Sequence, residues 1–216
     1  MSLETLTDKI IDLELEEVLV EVKKLIANQV EPLEILAACR AGMEGVGKRF
    51  ESGEYYVADL MLAGNIFQEV MQILNPVLNE GDNVQAKSTG KVLIATVRDD
   101  IHDIGKNLVK SMLAANGFEV IDLGVNVDPV VICQEIKRHN PDILALSCLL
   151  TSTLEGIEDT IAEVTKQGLR EKVKIIVGGA PVTAKLAADF GADAYGADAY
   201  AAVPQCQALL EGKSRD

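Results

Sequence analysis

Apolar residues return every three or four positions from Leu3 to about Leu78, and in short dense runs from Lys91 onward. In the first stretch Ile10, Leu13, Val18, Val22, Leu25 and Ile26 form one series, and Leu33, Leu36, Ala37 and Val46 another. A period near 3.6 gives a helix one buried stripe, so this half predicts an α-helical bundle of four helices. Glu31-Pro32 marks a helix start, because proline's fixed φ and missing N–H suit a first turn. The turn-like Glu51-Ser-Gly-Glu54 precedes a long helix from about Val57 to Leu78. The polar stretch from Asn79 to Gly90 has no aliphatic periodicity apart from Val84 and reads as a linker. The expected organisation is a helical domain over 1–80, a linker over 81–90 and a second domain over 91–216.

The second domain alternates β-rich runs with helical segments: KVLIATV, FEVIDLG, DILALSC, KIIVGGA and a weaker ADAYGA. Strands separated by helices specify a parallel sheet covered on both faces. Right-handed crossovers leave few arrangements, and the flavodoxin-like (Rossmann-type) five-stranded order 2-1-3-4-5 leads at this size. Ligands of such sheets settle beyond the carboxyl ends of the strands where the order reverses, here between the first and third strands.

Composition narrows the class. A chain of 216 residues that is 48% hydrophobic buries one good core or two small ones. It has no run of eighteen apolar residues, and its N-terminus is acidic, so the expectation is a soluble, cytoplasmic protein with no membrane partner. Cys39, Cys133, Cys148 and Cys206 are scattered without metal-site spacing, which fits reduced thiols. A formal charge of -14, without a basic patch interleaved with aromatics, argues against nucleic acid as a partner.

The loop after the first strand reads Asp99-Asp100-Ile101-His102-Asp103-Ile104-Gly105-Lys106 and holds one of two histidines in the chain. Two readings stand. The aspartates cap the following helix and His102 is a surface residue, or Asp100 bonds one imidazole nitrogen and leaves the other for a metal. A protein-built metal site needs three or four ligands, and no others lie at suitable spacing; His139 precedes the third strand at the opposite sheet end. One protein ligand suffices where a macrocycle such as haem or corrin brings its own equatorial ligands. The loop after the third strand places four hydroxyls, on Ser147, Thr151, Ser152 and Thr153, within seven residues. They suit either helix capping or a polar pocket. Gly178 and Gly179 after the fourth strand allow close approach of a backbone or a ligand.

Taken in order, Asp100-x-His102-x-x-Gly105, Ser147-x-Leu149 with Thr151, and Gly178-Gly179 resemble the signature of the cobalamin-binding domains of methionine synthase and the corrinoid methyltransferase proteins. The resemblance implies a cobalamin cofactor whose lower base is displaced from cobalt by His102, with Asp100 as its hydrogen-bond partner. Thr153 falls where the family's proton relay ends in a hydroxyl, a serine in methionine synthase. Ile101, Asp103, Gly105, Ser147, Leu149, Thr151, Gly178, Gly179, Tyr195 and Ala199 would line the cofactor and its nucleotide tail. The segment MEGVGKRFESGEYYVADLMLAG is similar to the helical cap of methyl carriers, with Ala58 where proline is common. Phe50, Tyr56, Leu60 and Met61 are its candidates to shelter the corrin.

By this resemblance the chain is a methyl-carrying component that cycles between Co(I) and methyl-Co(III), without catalysing the exchange alone. Its partners would be a substrate-specific methyltransferase, an acceptor methyltransferase and a reductive activator. Two other readings remain at this point: a cobalamin-dependent sensor, and a flavodoxin-like binding domain without cobalt.

Overall fold

The computed structural model describes residues 2–80 and 88–211, and the chain divides into two compact units at Ser88 and Thr89. Residues 81–87, most of the expected linker, lie outside the described residues. No helix among the described residues is long and apolar enough to cross a membrane.

Among its described residues the first unit holds four helices: α1 (Leu3–Ile11), α2 (Leu15–Ala27), α3 (Pro32–Glu51) and α4 (Val57–Glu80). Their buried stripes include Leu6 and Ile10 of α1, Val18 and Val22 of α2, Ile35 and Met43 of α3, and Leu60, Ile66 and Leu74 of α4. α1 and α3 approach closely because glycines stand at the crossing: a Cβ on Gly42 would lie 2.7 Å from Ile10, and one on Gly45 2.6 Å from Ile11. The Tyr55 hydroxyl donates to the Ile11 carbonyl at 2.7 Å and accepts from the Arg49 guanidinium at 2.7 Å, anchoring the turn before α4. This packing corrects one expectation. Leu60 is a core residue of the helical unit and Phe50 is half-buried, whereas Tyr56 and Met61 are exposed together with Val57 and Leu62.

The second unit is a five-stranded parallel sheet in the order β2-β1-β3-β4-β5. Its strands are β1 (Lys91–Thr96), β2 (Glu119–Asp122), β3 (Ile143–Ser147), β4 (Lys174–Gly178) and β5 (Ala194–Gly196). The helices are α5 (Ile104–Ala115), α6 (Pro129–His139), α7 (Glu155–Lys166), α8 (Ala184–Asp189) and α9 (Ala199–Glu211). Leu93, Ala95 and Val97 join one core cluster with Leu144, Leu146, Ile175 and Val177, while Val92 and Ile94 are buried on the other face. Burial of both faces explains why β1, β3 and β4 read as continuous apolar runs. β1 and β3 are neighbours with Thr96 opposite Ser147, so the two loops expected to carry chemistry leave the sheet side by side.

A buried cation links β2 to α5. The Lys106 side chain is 2% exposed, and its Nζ donates to both Asp122 oxygens at 2.6 and 2.7 Å and to Asn107 Oδ1 at 2.9 Å. Burial raises the Asp122 pKa, but the bonds from Lys106, Gly124 N–H and Lys110 outweigh it and leave the carboxyl below its ordinary value. The pair fastens the start of the helix that follows the histidine loop to the edge strand.

Candidate cofactor site

β1 ends at Thr96, and the chain turns sharply before α5. Asp99 sits at φ +67°, a conformation that aspartate tolerates better than most residues. Its N–H donates to Asn126 Oδ1 at 2.7 Å, and the Asn126 N–H donates to the Asp100 carbonyl at 2.8 Å. The loop is thereby clasped to the one after β2.

This turn drives Asp100 inward until its side chain is fully buried. One oxygen, Oδ1, accepts from the His102 N–H at 3.0 Å and from His102 Nδ1 at 2.7 Å. The other, Oδ2, accepts from the N–H groups of Leu149 (2.7 Å) and Leu150 (3.3 Å) and from the Thr153 hydroxyl (3.1 Å). A single carboxylate therefore joins the β1 loop to the β3 loop. Burial works to raise its pKa; the N–H groups of Leu149 and His102, then the His102 ring and the Thr153 hydroxyl, overcome that and hold it at about 2. Asp100 is thus a carboxylate at neutral pH and accepts the proton of the Nδ1–H tautomer of His102. That tautomer leaves the lone pair on Nε2, the nitrogen free to bind a metal, on a side chain that is 44% exposed.

The capping reading does not describe these loops. Asp103 is the N-cap of α5 but makes no capping bond; its Oδ2 accepts from Asn107 Nδ2 at 3.1 Å instead. α7 begins after Leu154 without a side-chain cap, and Thr151 and Ser152 are exposed. Thr153 is buried in the 3-10 turn Thr151–Thr153, and its one hydroxyl proton is shared between Asp100 Oδ2 and the Leu150 carbonyl at 3.0 Å. Cys148 Sγ lies 3.2 Å from that hydroxyl. The chain His102–Asp100–Thr153 therefore runs on to a buried thiol, which burial pushes above its ordinary pKa and keeps protonated. Sequence reasoning missed Cys148, whose one signal was its position between Ser147 and Leu149.

The remaining expected residues divide by what surrounds them. Ile101 (72% exposed), Ile104 (64%), Leu149 and Leu150 stand open on the two loops that flank His102. A Cβ on Gly178 would lie 2.8 Å from the Gly196 carbonyl, and one on Gly179 1.8 Å from the Cys148 carbonyl, so close backbone packing accounts for both glycines. Tyr195 is half-buried against the sheet core, and Ala199 is buried at the start of α9. Ser147 ends β3, half-buried, beside Gly178 of β4. Gly105 differs from the other glycines. It has no positive φ, and a Cβ there would meet nothing within 4 Å among the described residues, so none of them requires glycine at this point of the first turn of α5.

Fold and site together define a class: a parallel α/β domain whose carboxyl edge holds one prepared imidazole, rimmed by exposed apolar side chains and an unfilled glycine step. Among the described residues no three His, Cys, Asp or Glu side chains gather into a metal site. Such a donor set fits a metal that arrives inside an apolar macrocycle.

Comparison with known proteins agrees. A B12 binding domain family matches residues 90–203, and a second family, also described as a B12 binding domain, matches residues 2–75. Dimethylamine corrinoid protein 2 of Methanosarcina acetivorans is 38% identical, over 98% of this chain and 97% of its own length. A cobalamin-binding protein of Desulfitobacterium hafniense, known from its crystal structure, is 37% identical with a TM-score of 0.80, covering 96% of this chain and 98% of that one. The methanol:cobalamin methyltransferase complex of Methanosarcina barkeri contains the same fold at 24% identity and a TM-score of 0.83, covering 97% of this chain and 79% of that one. The chain belongs to the family of B12-binding corrinoid proteins, and its cofactor is cobalamin. Membership sets aside the reading of an α/β domain without cobalt.

Gly105 supplies a test of the cofactor fit. Gly105→Ala should leave the unfolding midpoint of the cofactor-free protein unchanged or raise it, by up to about 1 kcal/mol, because alanine favours a helix more than glycine does. The same change should weaken cobalamin uptake, because its methyl group enters space the protein leaves open. Urea unfolding and absorbance-monitored reconstitution measure the two effects; uptake equal to wild type would leave the glycine step without a role.

Proposed function

We propose that the protein carries a methyl group between two methyltransferases, with His102 Nε2 as the atom that would bind cobalt and Asp100 as the group that governs it. The observation that carries this reading is the 2.7 Å bond between His102 Nδ1 and the buried Asp100 carboxylate, at the sheet edge between β1 and β3. The bound corrinoid supplies a nucleophilic metal centre to and from which the methyl group moves. The protein's residues orient and tune it. Asp100 holds the imidazole in the ligating tautomer by accepting the Nδ1 proton on a carboxylate that carries a negative charge. Thr153 donates to Asp100 Oδ2 and stabilises the same charge.

The helical unit is proposed as the shield of the cofactor. Support comes from its match to a B12 binding domain and from Tyr56, Val57, Met61 and Leu62, exposed apolar side chains at the start of α4. Similarity to a corrinoid protein along nearly the whole chain favours a carrier over a sensor. A substrate-specific methyltransferase, an acceptor methyltransferase and a reductive activator are the proposed partners. Four free, buried thiols support a cytoplasmic location.

His102→Ala tests the assignment. In the Co(II) form, the electron paramagnetic resonance spectrum of the wild-type complex should show splitting from one protein nitrogen, and the variant should lose it. Persistence of that splitting in the variant would remove His102 from the metal.

A further inference from the structure

We propose that Thr96 is a positioning residue for the axial ligand: its hydroxyl fixes the backbone of His102 and so favours the state in which the imidazole is bound to cobalt. The inference rests on the reading of His102 as that ligand.

Thr96 is the last residue of β1 and is fully buried, on the sheet face shared with Val92 and Ile94. A strand in that setting favours a β-branched residue, and valine would meet the demand of shape alone. The hydroxyl is the part that strand packing leaves unexplained, since burying one without a partner is costly. Thr96 Oγ1 donates to the His102 carbonyl at 2.9 Å. The backbone of Thr96 is itself tied down, its N–H donating to the Gly124 carbonyl at 3.0 Å and its carbonyl accepting from Val127 N–H at 3.1 Å.

The polar groups of His102 then sort by function. Its N–H and Nδ1 are held by Asp100, a residue of the same irregular loop, whereas its carbonyl is held by a residue of the sheet. Between Asp100 and α5 the chain has no regular secondary structure, so the Thr96 bond is a direct tie from the ligand's own peptide to the rigid sheet. Two motions become separable. The imidazole would turn about its side-chain torsions to leave or meet the metal, while the Cα from which it swings would stay in place. Removing the tie lets that Cα drift, and the bound geometry must then be selected from more backbone states.

The test uses the full chain labelled with 15N-histidine and loaded with cobalamin in the Co(II) state, as wild type, Thr96→Val and Thr96→Ser. Histidine-nitrogen splitting gives the ratio of bound to released imidazole. Thr96→Val should lower that ratio by about fivefold, the equilibrium equivalent of one ordinary hydrogen bond. Thr96→Ser keeps the donor and should stay near wild type, although it lacks the methyl group whose loss would trouble packing. That pattern separates positioning from bulk structure, because a purely structural role ranks serine as the more damaging change. Should the valine chain not fold, Thr96→Cys, with a weak donor and a size near that of serine, must shift the ratio in the same direction relative to serine. An unchanged ratio in the valine variant, or in the cysteine variant where that one is used, overturns the inference while leaving axial ligation intact. Absence of histidine splitting in wild type overturns both.

Discussion

Gly179→Ala should prevent folded protein from accumulating. Gly179 has φ +125°, a region that side-chain-bearing residues rarely enter, and its added Cβ would stand 1.8 Å from the Cys148 carbonyl oxygen and 2.7 Å from the carbonyl carbon. Both are backbone atoms, and the Cys148 N–H is bonded to the Gly178 carbonyl at 3.1 Å, so relief requires parting β3 from β4 at their carboxyl ends. Backbone strain combined with a clash of this kind costs about 4 kcal/mol or more, a large part of the roughly 5–15 kcal/mol that holds a domain together. Soluble yield and the urea midpoint are the measurements. A variant with the wild-type midpoint would mean that the β4 loop relocates freely and that Gly179 does not fix the wall beside Cys148 and Thr153. The result bears on function through position: the loop that needs Gly179 closes against the residues that complete the Asp100 network.

Replacement of Asp100 should have the second largest effect, and its signature lies in the pH dependence. The folded protein holds this carboxyl at about 2, below the ordinary aspartate value. A group with a depressed pKa stabilises the fold above its unfolded-state value and loses that contribution as pH falls toward its folded-state value. Asp100 should therefore contribute on the order of 2 kcal/mol at neutral pH, fading between about pH 4 and pH 2. Asp100→Asn cannot reproduce the arrangement. An amide oxygen can still accept from His102, but the NH2 group would then face the N–H groups of Leu149 and Leu150 and the Thr153 hydroxyl, all of which donate to Oδ2. The expected loss at pH 7 is about 3 kcal/mol, from a removed charge and from donors left unsatisfied. Urea unfolding of both proteins from pH 7 down to pH 2.5 should show the gap narrowing with acidity. A gap as wide at pH 2.5 as at pH 7 would mean that the Asp100 charge is not what holds the two loops together.

Both expectations concern backbone groups brought together across the sheet, and this marks how far the sequence could be read. Periodicity sufficed for the helical half and for the run of strands, because amphipathic spacing is a local consequence of which face is buried. Right-handed crossover then left the order 2-1-3-4-5, and the Asp100-x-His102 loop could be placed at the reversal point before any distance was known. The pairing of Asp100 with His102 was also legible, since two residues of separation keep them within reach of one another.

What the sequence left undecided were contacts between residues far apart in the chain. Thr96 reads as one more β-branched residue of a strand, and its hydroxyl acquires a role because the loop folds back to set the His102 carbonyl 2.9 Å away. Lys106 reads as a solvated charge until β2 places Asp122 beside it. Leu60 and Met61 are adjacent apolar residues of one helix, and helix rotation decides that the first is core and the second exposed. Gly178, Gly179 and Gly105 look alike in sequence; the backbones of β3 and β5 crowd the first two, while the third faces open space. Local pattern determined the elements, their order and the edge that carries the Asp100-x-His102 loop, because burial periodicity and chain chirality act over a few residues. Tertiary structure decided which side chains meet at that edge and which merely pack, because hydrogen-bond partners and steric room depend on segments that meet after folding.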